Sequence, residues 1–167
     1  MYDKLTKSDI RKMEEEIEMR KLQLRPELIA RVKEARSHGD LSENFEYYAA
    51  RREKGSNDSR IAYLERMIKT AQIIDDESGD DEVGMNDLVT IHYEDDDEDE
   101  KFKIVTTVRQ DTLNGKISID SPIGKAVLGH KKGERVLVTV NKDVSYYVVI
   151  KAIEKNSDDS DDELNKF

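Results

Sequence analysis

The sequence predicts an α+β protein in which a long antiparallel hairpin of two helices precedes a small α+β domain. Three observations carry that reading. Apolar residues recur at helical spacing through the first 74 residues, the period changes to two after an acidic stretch that begins at Asp75, and Gly39-Asp40 lies where the helical half must reverse.

In the first arm Ile10, Met13, Ile17, Leu24, Leu28, Val32 and Ala35 fall at helical spacing, and in the second Ile61, Leu64, Ile68 and Ala71 continue it. Folded back about the turn, Val32 meets Ala49, Ile17 meets Leu64, Met13 meets Ile68 and Ile10 meets Ala71, every pair sharing one index sum. A constant sum is what an antiparallel two-helix coiled coil requires, because each apolar knob needs a facing hole. At about 1.5 Å per residue each arm runs on the order of 40 Å. Gly39 suits the left-handed stop of the first helix. Pro26 has no amide donor and Gly55-Ser56-Asn57 lies opposite it, so a bend or loosened packing is expected at that level.

Beyond the acidic stretch, Leu88 to Tyr93, Lys101 to Val108, Lys116 to Ile119, Arg135 to Val140 and Tyr146 to Ile153 are rich in Val, Ile, Thr and Tyr and predict strands. Asn114-Gly115 marks a tight turn before the third. Ser121 followed by Pro122, with Gly129 past the end, frames one short helix between strands. The expected divisions are a hairpin over 1–76, an acidic linker over 77–86, the second domain over 87–154 and an unpacked, disordered acidic tail over 155–167.

Composition narrows the chemistry. The chain has no cysteine, which excludes disulfides, thiolate zinc sites and a cysteine nucleophile. Only His38, His92 and His130 occur, far apart, so hydrolytic chemistry would have to use carboxylates. No apolar run approaches the roughly 18 residues of a membrane span, and no secretory leader is read in the charged opening, so a cytoplasmic protein without a membrane partner is expected. The net charge of −10 is unevenly spread. Residues 1–74 hold 16 basic against 14 acidic side chains, while the remainder holds 12 against 24, mainly in the runs Asp75 to Glu82, Glu94 to Glu100 and Asp158 to Glu163. Such runs read as solvated linker, loop and tail, and they argue against nonspecific duplex binding by the second half.

The turn itself admits two readings. Asp40-x-x-Glu43 matches a capping box for the second helix, with Asp40 accepting from the Glu43 amide and the Glu43 side chain reaching back. Equally, two carboxylates one helical turn apart can present oxygens to a hard divalent cation. Two are too few for a dedicated magnesium cage, so they would complete a site supplied by another molecule. A free-standing nuclease is disfavoured for want of ligands.

The residues Ala35-Arg36-Ser37-His38-Gly39-Asp40-Leu41-Ser42-Glu43-Asn44, then Tyr47, Ala49-Ala50-Arg51, Arg60-Ile61 and Ala71-Gln72-Ile73-Ile74 resemble the bacterial transcript cleavage factors of the GreA/GreB family, and the GreA branch more than the GreB branch. Asn114-Gly115-Lys116-Ile117-Ser118-Ile119, Ser121-Pro122-Ile123-Gly124-Lys125-Ala126 and Gly129 continue the match, as do Leu5-Thr6 and Arg25-Pro26-Glu27. The resemblance spans roughly residues 5–154. It implies that the second domain is FKBP-like and docks on the outer rim of the RNA polymerase secondary channel, which the hairpin enters. Asp40 and Glu43 would then help hold a Mg2+ ion shared with the polymerase, which cuts backtracked RNA by two-metal chemistry. Such a factor activates the polymerase's nuclease activity and is not itself an enzyme.

By matching position the resemblance makes Arg36 and Arg51 contacts to the nascent RNA 3′ end, and Asn44 and Tyr47 supports of the tip. Ser121, Pro122, Ile123 and Gly124 would form the docking surface or, by preference, its scaffold. A monomer is expected, because the hairpin can bury its own seam. Departures from the family pattern are Phe45 in place of a small residue, Ser56 in place of an apolar one, the acidic run Glu94 to Glu100, the tail after Asn156, and the segment Val105 to Thr112, which lacks the usual acidic loop pattern. Two rival readings are a channel-binding regulator that inhibits or does not stimulate cleavage, and a coiled-coil interaction module whose tip is merely capped.

Overall fold

The computed structural model describes residues 3–40 and 44–166. It divides into two compact units, the helical hairpin over residues 9–72 and a second unit formed by residues 73–166 with residues 4–8. Lys4–Leu5 (β1) and Gln72–Ile73 (β2) pair as a two-stranded ribbon.

The first arm is α1 (Lys7–Met19), a π-helical turn over Arg20–Leu24, and α2 (Arg25–Arg36); the second is the unbroken α3 (Phe45–Thr70). Met13, Leu28 and Ala35 are buried on one arm and Tyr47, Ala50, Ile61, Leu64 and Met67 on the other. The helical reading of both arms therefore stands, with one shift near the tip: Ala49 is exposed and Ala50 takes the inner position. The spacing from Ala50 through Asn57 to Ile61 and Leu64 keeps one face inward, which Ala49 would leave.

The helical irregularity at the level of Pro26 lies in the first arm. Proline cannot donate to the helical ladder, and just before Pro26 the helix widens so that the Arg25 amide reaches back five residues to the Arg20 carbonyl. Opposite it α3 continues unbroken through Gly55-Ser56-Asn57. A polar layer occupies this level. Buried Asn57 donates to the Arg20 carbonyl at 3.3 Å and accepts from Arg20 Nη1 at 2.9 Å. Glu16 accepts from Arg20 Nε at 2.8 Å and from Arg60 Nε at 2.7 Å. A buried asparagine in an apolar seam costs stability but admits one register, since any slip strands its amide.

The second unit is built on a sheet of β3 (Leu88–Tyr93), β4 (Glu98–Val105), β5 (Lys116–Ser118), β6 (Arg135–Thr139) and β7 (Ser145–Glu154), with α4 (Pro122–Val127) inserted before β6. The order is β5-β4-β3-β7-β6, antiparallel except for the parallel β4–β5 pair. Val89, Ile91, Phe102, Ile104, Val136, Val138, Val148 and Ile150 alternate inward from the strands, and Val127 of α4 closes the same core. The predicted strands and short helix are thus present, with ends shifted by a few residues.

Three charged segments depart from expectation. Residues 77–86 are not simply a linker, because Val83 and Met85 enter the core and the Val83 amide donates to the His130 carbonyl at 2.9 Å. Within Glu94 to Glu100 only the first four residues turn; Glu98, Asp99 and Glu100 extend β4, where Asp99 meets His92 at 2.6 Å and Lys151 at 3.0 Å. The tail packs: Asp162 is buried, and the Asn165 amide donates to the Val108 carbonyl at 2.8 Å. Of these three segments only the tail buries an acidic side chain, and there charge partners from distant segments offset the cost.

Burial alone would raise the Glu16 pKa, but the hydrogen bonds from Arg60 and Arg20 outweigh it and hold it below the ordinary 4.5. A depressed folded pKa means that the stabilisation is whole above about pH 4.5, shrinks below it, and is gone once pH passes the lowered folded value. Glu16→Gln should therefore cost on the order of 1 to 3 kcal/mol at pH 7, with the gap to the parent closing in acid; urea titrations at pH 7 and pH 3 check this. Gly55 is an exposed interior residue of α3, and among the described residues no atom lies within 4 Å of a Cβ placed there. Gly55→Ala should raise hairpin stability by about 0.5 to 1 kcal/mol in thermal unfolding.

Candidate functional site

The tip is built from the two helix ends that meet there. The last turn of α2 closes with the Ser37 amide donating to Glu34 O at 3.0 Å and the His38 amide donating to Ala35 O at 3.2 Å. Gly39 follows at φ +110°, a conformation that side-chain-bearing residues rarely adopt, and lets the chain turn away from the helix axis. Asp40 stands next, exposed to solvent.

The start of α3 is set by Asn44. Its Oδ1 accepts from the Tyr47 amide at 3.0 Å, satisfying one of the orphan donors of the helix, and its Nδ2 donates to Ala35 O at 2.6 Å across the hairpin. One side chain therefore caps one helix and ties it to the end of the other. This replaces the expected capping box: α3 begins at Phe45 and its cap is Asn44, so Asp40-x-x-Glu43 lies ahead of the cap. Glu43 itself lies outside the described residues.

Tyr47 is buried beneath this turn, its ring 5.4 Å from that of Tyr48 in an edge-on arrangement. The Arg36 guanidinium sits 5.6 Å from the Tyr47 ring centroid. A hydrogen bond with Arg36 leads the causes that hold the Tyr47 hydroxyl below its ordinary pKa; burial opposes it, and the charges of Arg36 and Arg51 add to it. The structure thus gathers Arg36, Tyr47, Asn44 and Arg51 at the tip, with both arginines exposed. Sequence reasoning missed His38 Nδ1, 3.5 Å from Glu46 Oε2. Phe45, noted only as a departure, is 84% exposed.

Ser121 to Gly124 lie in the second unit, at the start of α4. Ser121 accepts from the Gly124 amide at 3.0 Å and donates to Ser118 O at 2.6 Å, Pro122 takes the first helical turn, and Ile123 packs against the core. Gly124 is buried, and a Cβ there would stand 2.0 Å from the Ser118 carbonyl oxygen. Only glycine lets α4 approach β5 so closely.

Residues 4–73 match the family description "Transcription elongation factor, N-terminal", and residues 77–155 match "Transcription elongation factor, GreA/GreB, C-term". The chain belongs to the GreA/GreB family of transcription elongation factors. It is 42% identical to transcription elongation factor GreA of Thermotoga neapolitana over 147 residues, covering 88% of this chain and 94% of that one. It is 43% identical to GreA of Streptococcus gordonii over 153 residues, covering 90% and 94%. Among solved structures, the GreA factor homolog 1 of Thermus thermophilus is 25% identical, with a TM-score of 0.43 and coverage of 93% and 100%. The GreA/GreB assignment spans both units, and among the described residues no helix is long and apolar enough to cross a membrane.

Asn44→Ala removes the cap and the tie to Ala35 together, so the hairpin should lose about 1 to 2 kcal/mol. The measurement is thermal unfolding alongside amide exchange, with exchange at Tyr47 rising first; an unchanged Tyr47 amide would contradict the cap.

Proposed function

We propose that this factor acts on RNA polymerase, its hairpin entering the secondary channel while the second unit docks on the channel's rim, and that it stimulates the polymerase's cleavage of backtracked RNA. The observation that best supports this reading is the tip's division of labour. Asn44 caps α3 and ties it to α2, while Asp40 stands exposed on the same tip as Arg36 and Arg51. An exposed carboxylate beside two cations is what cleavage stimulation asks of this tip.

Carboxylate oxygens suit Mg2+, but Asp40 and Glu43 are fewer ligands than the ion takes. Among the described residues no group of three or more histidine, aspartate or glutamate side chains is placed to hold a metal. The remaining ligands would come from the polymerase, which makes the factor an activator and not an enzyme. When bound, the metal supplies charge stabilisation to the attacking and leaving oxygens. The chain's own part is to present Asp40 and Glu43 at the end of a stiff rod and to orient the water between them and the RNA. Arg36 and Arg51 bring positive charge to the same tip, which offsets repulsion between its acid and RNA phosphates. A factor of this kind works in the cytoplasm, and the self-contained hairpin seam suits a monomer.

Asp40→Asn and Glu43→Gln keep shape while removing charge. In a stalled, backtracked elongation complex with magnesium each should reduce stimulated RNA cleavage at least about tenfold, with polymerase binding retained. Full stimulation by both bound variants would overturn the mechanism, and binding without stimulation by the parent chain would make it a channel-occupying regulator.

A further inference from the structure

We infer that the second unit carries a carboxylate-binding site, formed by Lys103, Arg109 and Lys116, which the chain's own C-terminal segment fills through Asp162. The parallel pairing of β4 with β5 sets Lys103 directly opposite Lys116, a like-charge pair that is unfavourable by itself. Arg109, from the 3-10 turn Thr107–Arg109, brings a third cation to the same point with its side chain 0% exposed. An arginine cannot neutralise itself by losing a proton. Arg109 also donates to Asn86 Oδ1 at 2.7 Å and to Thr106 Oγ1 at 3.2 Å. Three cations gathered at one point favour an anion among them.

Asp162 supplies it. Its oxygens lie 2.6 Å from Arg109 Nη1, 2.9 Å from Lys103 Nζ and 3.0 Å from Lys116 Nζ. Neighbouring Asp161 and Glu163 stay exposed, so the segment inserts one carboxylate and leaves the flanking acid in water. Burial raises the Asp162 pKa, but hydrogen bonds from Lys103, Lys116 and Arg109 outweigh it and keep the group ionised. The segment lies beyond the family match, which ends at residue 155, so the ligand is an addition to the shared domain. A cleft of about 280 Å³ lined by Arg109, Asp111, Asn114, Lys116, Asp161 and Glu163 opens beside it. An acidic segment from a partner can use the same cations only by displacing Asp162.

The test is chemical rescue in the full chain. Asp162→Ala leaves a carboxylate-sized gap and should lower the melting temperature of the second unit by on the order of 10 °C. Sodium acetate, titrated against chloride at constant ionic strength, should recover at least half of that loss saturably, while the parent chain does not respond. A folded Asp162→Ala chain with no acetate-specific recovery, or a parent that responds equally, overturns the site. Asp162→Asn fills the same space and provides a readout if the alanine variant does not fold. Exchange of the Asn165 amide, which donates to Val108 O, should rise at least about tenfold; unchanged protection there overturns the inference.

Discussion

The two hydrogen bonds of Asn44 are the constraint on which the tip depends. A hairpin of two long helices ends in exposed backbone donors and acceptors on both strands, and those groups must find partners within a few residues. Asn44 answers one donor of α3 through Oδ1 and one acceptor of α2 through Nδ2. Because an amide does both without charge, the acidic positions ahead of it are not required as helix caps. Aspartate in its place would cap equally well but has no N–H for Ala35.

Behind the tip, the rod's register rests on the polar layer at Glu16, Arg20, Asn57 and Arg60. Apolar pairs alone tolerate sliding by a heptad, since one aliphatic knob fits another's hole. Asn57 does not, because its donor and acceptor both find Arg20, and a shifted arm would bury them unpaired. The π turn beside Pro26 belongs to this arrangement. It removes the need for a proline amide and presents the Arg20 carbonyl to two donors, one from Arg25 and one from Asn57.

Local chemistry wrote the elements legibly. Helical spacing located both arms, β-branched runs located the strands, and Ser121-Pro122 located α4. What the pattern could not show were contacts decided by distant partners. Ala49 and Ala50 are interchangeable to a hydrophobicity count, and only the position of Asn57 and Ile61 on the assembled helix selects Ala50. The capping-box spacing at Asp40 and Glu43 is genuine as a pattern, yet Asn44 takes the role of the α3 cap and also reaches Ala35. The tail looked unpackable because its composition is acidic; its partners Lys103, Arg109 and Lys116 lie more than 40 residues away in the chain, beyond any local window. Arg109 itself carried no signal until its burial was seen.

Carboxylates serve opposite ends in the two units, and their surroundings decide which. Asp40 stands in water at the end of a rod, where little desolvation has been spent and a cation can still approach. Asp162 has already surrendered its water to two lysines and an arginine, so its charge is committed inside the fold. A chain with a net charge of −10 cannot distinguish a functional acid from a structural one by composition. The distinguishing quantity is how far a carboxylate has been taken out of water. By that measure Asp162 is spent on the fold, while the exposed position of Asp40 keeps it within reach of chemistry supplied from outside.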